Sequence, residues 1–252
     1  MTKYELLSLI ISIIALVAPA ARWIYKNWIK KEKLQYHPNG KITLYFNSRS
    51  SYLRLDGVLE ALNHPIYVNK MEVIVKKNQN TSLTLPWSLL QSPFTQYLSG
   101  TPFCSNVTEV AHPFKIQEDS FYCVFAEFSD NDAHNIMMFH LNDLISKAKE
   151  LSVVGDYMGA LEQYKNCDSY REAKSKIANM YFWDIGKYEF ILRVTYLNSV
   201  KEFHFFGEIR ESDYQRLYSN VEEVLLYPLK AVYNQQSNKN NQGIIIDILQ
   251  TN

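Results

Sequence analysis

Four residues in one loop concentrate the chemistry of this chain: Asp130, Asp132, His134 and His140, within SDNDAHNIMMFH. Carboxylates two apart followed by imidazoles are a ligand set for a divalent cation, because oxygen donors and a neutral ring nitrogen can share one ion. A calcium loop of EF-hand type further needs glycine at Asn135 and glutamate at Leu141. Neither is there. The loop therefore reads better as a solvated turn between a strand and a helix, and no metal or cofactor is assigned. The other histidines, His37, His64, His112 and His204, are scattered, and three of them precede a proline.

No recurrent catalytic signature accompanies that loop. G-x-x-x-x-G-K-[ST], G-x-G-x-x-G, H-E-x-x-H and G-x-S-x-G are missing, and Cys104, Cys123 and Cys167 lie too far apart for a C-x-x-C pair. Only 8 glycines occur, where an average usage of roughly 7% would give about 18, which disfavours a glycine-rich phosphate cradle. Cys123 sits inside FYCVFAEF, where a small apolar residue of a buried strand is expected rather than a nucleophile.

Charge is neutral in sum, 26 Lys+Arg against 26 Asp+Glu, and uneven in place. Residues 1–33 hold six basic side chains (Lys3, Arg22, Lys26, Lys30, Lys31, Lys33) and two acidic ones (Glu5, Glu32), so the rest carries 20 against 24, a net of −4. Leu6 to Ala21 is a run of sixteen uncharged residues, and Trp23, Ile24 and Tyr25 extend it past Arg22. At ~1.5 Å per residue sixteen residues cover ~24 Å of a ~30 Å hydrocarbon core, a shortfall that a snorkelling Arg22 would make up. This predicts one transmembrane helix within residues 1–33, with Arg22, Trp23, Tyr25, Lys26, Trp28, Lys30, Lys31 and Lys33 at the membrane interface. The positive charge follows the apolar run, so the N-terminus is expected outside and the body on the cytoplasmic side of an inner membrane. An acidic body whose basic cluster faces lipid is a poor partner for nucleic acid.

The body, residues 34–233, reads as β. After a turn signal at His37-Pro38-Asn39-Gly40, Ile42, Leu44 and Phe46 alternate with Lys41, Thr43 and Tyr45. Ser51 to Leu62, Ile66 to Lys77, Val107 to Ile116, Phe121 to Phe128, Lys187 to Tyr196 and Val200 to Ile209 continue in kind. A short helical turn is expected at Pro86 to Leu90, with Trp87 plugging one end of the core. Between about 141 and 180 the apolar spacing changes to three and four, through Leu144, Ala148 and Leu151, then Tyr157, Ala160 and Tyr164, then Tyr170, Ala173 and Ile177. Within this helical insert Gly155-Asp156-Tyr157, Ala160 and Tyr164 resemble the turn and second-helix start of a tetratricopeptide-type repeat. The likeness covers half of one repeat with no second copy, which implies a hairpin rather than a solenoid. A helix capped by Ser212 or Asp213 follows, running through Leu217 and Val221 toward Pro228. Seven or eight such strands predict an immunoglobulin-like β-sandwich with a helical insert and a C-terminal helix; a barrel would show the same alternation.

Residues 234–252 form a polar linker and a short C-terminal strand. Ile244, Ile246 and Ile248 share one side of it, too apolar to be left in water. The block either pairs with an edge of its own fold or adds as a strand to another subunit or partner. Together these readings predict a membrane-anchored binding or scaffold protein, self-associating or engaging another protein, without catalysis of its own. Two further classes fit the same residues. One is a membrane-disrupting effector, as in bacterial antiviral defence, whose helices approach through Ser8 and Ser12. The other is a membrane-tethered metal enzyme built on Asp130, Asp132 and His134.

Overall fold

Alternation of apolar and polar side chains builds most of the molecule. In β1 (Lys33–Asn47) Leu34, Tyr36, Ile42, Leu44 and Phe46 are buried, and in β2 (Ser50–Leu62) Leu53, Leu55, Leu59 and Ala61 meet them from the next strand. The computed structural model describes residues 3–25, 30–78, 81–98, 101–153, 155–235 and 243–250. Further strands are β3 (Ile66–Lys77), β4 (Thr81–Leu98), β5 (Thr101–Val110), β6 (Phe114–Ile116), β7 (Ser120–Phe128), β8 (Gly186–Tyr196), β9 (Ser199–Ile209), β10 (Ile244–Asp247) and β11 (Leu249–Gln250). Strand accounts for 44% of the chain. The order is β10-β1-β2-β7-β4-β3-β8-β9-β11, with β5 attached to β4 and β6 to β3, and every pairing is antiparallel.

The expected immunoglobulin-like sandwich is not the fold. Two segments pass from one half of the sheet into the other. β4 pairs with β3 as far as Pro86 and with β7 from Trp87, while the C-terminal segment pairs with β1 through β10 and with β9 through β11. The halves are thus joined along both sides, giving a nearly closed, barrel-like sheet rather than two stacked sheets with separate edges. Local patterning cannot separate these cases, since it reports that one face is buried and not which strands are neighbours. Two local readings fail with it. His37-Pro38-Asn39-Gly40 is no turn but an irregularity inside β1, where the register on β2 shifts between Pro38 and Ile42. Pro86 to Leu90 is strand, not a helical turn.

The helical insert starts ten residues earlier than its apolar spacing suggests, because Asp130 caps α2 (Asn131–Leu151) by accepting from the Asp132 N–H. In α3 (Tyr157–Asn166) Asp156 accepts from the Gly159 N–H at 2.8 Å. α4 (Asp168–Asn179) follows, and α5 (Glu211–Val232) begins with Asp213 accepting from the Arg210 N–H. These four helices gather at the barrel end formed by the β1–β2 turn. There the Tyr181 ring meets Phe46 at 5.1 Å, and the fully buried Trp183 donates its indole N–H to the Tyr45 carbonyl at 2.7 Å. Trp183, not Trp87, plugs the core.

α1 (Lys3–Ile24) overturns the membrane anchor and, with it, the single-pass inner-membrane placement. No helix among the described residues is long and apolar enough to cross a membrane. α1 ends at Ile24 and contains Pro19, and Lys33, expected at the membrane interface, already belongs to β1.

Candidate functional site

The seam where the barrel closes includes strand edges that no described strand pairs. β10 pairs with β1 from Lys41↔Asp247 to Leu44↔Ile244, the Ile248 N–H donates to the Gly40 carbonyl at 2.9 Å, and β11 pairs with β9 at Leu249↔Phe206 and Gln250↔Phe205. Ile244, Ile246 and Ile248 are 1%, 4% and 5% exposed, against 62% for Ile245 and 77% for Leu249. In this chain the block pairs with strands of its own fold, β1 and β9. Glycines make room for it. A Cβ on Gly243 would lie 2.6 Å from the Tyr45 ring and 2.7 Å from the Leu44 carbonyl, and one on Gly207 would lie 3.1 Å from Ile246 Cδ1.

Past Gln250 the described residues supply no further strand to the seam. β1 spends one edge on β2 from Lys33↔Leu62 onward, and β9 spends one edge on β8 up to Tyr196↔Ser199. Among the described residues no strand pairs with the seam-side edges of residues 33–37 and 200–204. Residues 33–37 and 201–204, with Gln250 at the closed end, line a cavity of about 630 Å³. Its floor is aromatic, since the Tyr36 ring lies 5.7 Å from Phe203 and 5.8 Å from Phe205. Burial pushes the Tyr36 phenol well above its ordinary pKa, and its hydroxyl, packed near Gly57, has no hydrogen-bond partner among the described residues.

The rim is polar and mostly committed. His37 Nε2 donates to Glu60 at 2.8 Å and His204 Nδ1 to Glu189 at 2.8 Å. The His204 hydrogen bond is the main force holding the Glu189 carboxyl below the usual range, with burial opposing it. Glu202 accepts from Arg193 Nε at 2.8 Å. Lys33 and Lys201, at the far end, have no ion-pair partner among the described residues. Because β1 and β9 each run antiparallel to the segment between them, they are parallel to one another. They present two rows of unpaired backbone groups across one gap, a geometry suited to one extended chain.

The residues singled out from the sequence fall elsewhere or serve structure. Asp130 is a helix cap, and His134 Nδ1 is bonded to the Ser48 carbonyl at 3.0 Å, joining α2 to the β1–β2 turn. The His140 ring lies on Phe139. Among the described residues no group of three or more His, Cys, Asp or Glu side chains is placed to hold a metal ion. Arg22 and Trp23 end α1 and Tyr25 follows it, all exposed; Lys30 and Lys31 lead into β1, where their carbonyls accept from His64 Nε2 and Asn63 Nδ2. Lys26 and Trp28 lie outside the described residues. Cys123 is exposed on β7 rather than buried, and Cys167 Sγ accepts from the Tyr170 N–H. Ser12 Oγ donates to the Ser8 carbonyl of its own helix.

Of the gap's own residues, the sequence marks Lys33 as a membrane-interface residue and His37 and His204 as scattered histidines, without bringing them together. His37 and His204 come close through two separate registers that no short-range pattern encodes. The available signal was Leu34 and Tyr36, apolar and two apart ahead of Pro38, which extend β1 across the supposed turn.

The molecule is thus a nearly closed, barrel-like antiparallel sheet with a helical cap at one end and a seam that the described residues pair over part of its length. Comparison with protein-family models, with curated proteins and with solved structures gives no match to this chain.

Proposed function

We propose that this is a binding protein that takes up an extended segment of another polypeptide by strand addition at the open seam. One observation carries the reading: two strand edges, 33–37 and 201–204, line one gap of about 630 Å³ with no strand between them among the described residues. Each unpaired backbone N–H or C=O shielded from water costs about 1–3 kcal/mol, and an entering strand supplies partners on both sides at once. The same seam already accepts such a strand, since Ile244–Gln250 occupies its other half. Ordering a short peptide has its own entropic cost, so weak, transient capture is expected.

Amide hydrogen exchange tests this on the full chain. An alternating Thr/Val heptapeptide is expected to protect the amides of residues 33–37 and 200–204, while the same peptide with proline at alternate positions, which cannot donate, is expected to leave them unchanged. Protection at neither segment, or equal protection by the proline peptide, overturns the reading.

A further inference from the structure

The open seam is asymmetric along its length, and the asymmetry bears on the chemistry of the strand it takes. At the end next to Gln250 the flanking side chains are His37 and His204, each already donating to a glutamate. At the far end they are Lys33 and Lys201, neither with an ion-pair partner among the described residues. The acids nearby do not neutralise them. Glu202 is held by Arg193 at 2.8 Å, and Glu60 and Glu189 by the two histidines. Glu32 adjoins Lys33 in sequence, and its charge acts on the Tyr196 phenol. A strand entering the gap therefore meets satisfied polar pairs at one end and, at the other, two ammonium groups without a partner among the described residues, Lys33 on the outward face with His37 and Lys201 on the inward face with Phe203 and Phe205.

Register fixes which end of the strand arrives there. The segment already in the seam runs antiparallel to both neighbours, and Gln250, its last described residue, pairs with Phe205. A strand continuing that pattern keeps every pairing antiparallel and runs from the histidines toward the lysines. Its inward side chains meet Tyr36, Phe203 and Leu34, which are 2%, 6% and 1% exposed. Its outward side chains meet the rim.

Resting on the strand-addition reading above, we infer that the partner segment is a stretch of about five residues that alternates apolar inward with polar outward and ends, at its C-terminal side, in two consecutive acidic residues, one on each face, where Lys33 receives the outward carboxylate and Lys201 the inward one. Two exposed ion pairs replaced by two like-charge contacts amount to a preference of about tenfold.

The experiment titrates the full chain with three peptides of one alternating core: Asp-Asp at the C-terminal end, Lys-Lys at that end, and Asp-Asp at the N-terminal end. Affinity is read by fluorescence anisotropy and location by hydrogen exchange. The C-terminal Asp-Asp peptide is expected to bind about tenfold more tightly than either other, and the double variant Lys33→Glu with Lys201→Glu is expected to invert the order of the two C-terminally charged peptides. Equal affinities with protection still at residues 33–37 and 200–204, or an order unchanged in the double variant, overturn the inference and leave strand addition standing. Protection by none of the three overturns both.

Discussion

Two halves of one seam can be set side by side. Where Ile244–Gln250 lies between β1 and β9, the barrel wall is continuous, and its inward residues are three isoleucines no more than 5% exposed. Along residues 33–37 and 201–204 the same two strands, with equally apolar residues beneath them, enclose a cavity instead. The difference is a single strand. β1 and β9 are joined by the segment Ile244–Gln250 over part of their length, and no other described strand lies between them. The paired half and the half without a described strand therefore share one architecture, which makes each half the control for the other.

The largest effect should come from emptying the closed half. Burial of three isoleucines contributes roughly 1.5–3 kcal/mol each, together a large share of the ~5–15 kcal/mol of a typical domain. Deleting residues 243–252 is expected to lower the melting temperature by more than about 10 °C, read by circular dichroism. An unchanged melting curve would show that the barrel does not need this strand, and the two halves would then be alike.

A smaller effect should follow from disturbing only the entry of the strand. Gly243 lies so close to Thr43, Leu44 and Tyr45 that an added Cβ would sit 2.6–2.7 Å from all three, nearer than real Cβ contacts come. Gly243→Ala must push the strand outward at its start, at a cost of about 1–3 kcal/mol. Amide protection at residues 41–44 should fall while residues 205 and 206 keep theirs. Loss spread evenly over both would mean that β10 and β11 open as one unit.

How much of this was legible without the fold depends on the range of each interaction. The strands at Ile42 to Phe46, Ser51 to Leu62 and Lys187 to Ile209 are written in alternation and are where they were expected, as are the helices through Leu144, Ala160, Ile177 and Val221. Ends were less legible. Asp130, read as a weak ligand, is a cap that starts α2 ten residues early, and His37-Pro38-Asn39-Gly40, read as a turn, is absorbed into β1. The apolar run of α1 is conspicuous in the sequence, yet no helix among the described residues is long and apolar enough to cross a membrane. Barrel versus sandwich was illegible in principle, since it turns on Trp87 pairing with Phe128 and Leu249 pairing with Phe206. The gap was illegible for the same reason, being defined by where pairing ends.

The subtlest comparison lies under the two halves. The closed half has isoleucine side chains facing inward, with no polar atom to satisfy, whereas the open half has the Tyr36 hydroxyl, buried and without a partner among the described residues. An unsatisfied buried hydroxyl costs about 1–3 kcal/mol, and removing it at constant shape is close to neutral or stabilising. Tyr36→Phe is therefore expected to leave chemical denaturation unchanged or to raise stability by up to about 1 kcal/mol. A loss greater than about 1 kcal/mol would mean that the hydroxyl is bonded in solution and that the floor of the gap is as well satisfied as that of the closed half. A gain would place a tolerated defect directly beneath the open edges, and local rules are most often broken where a protein keeps room for something else.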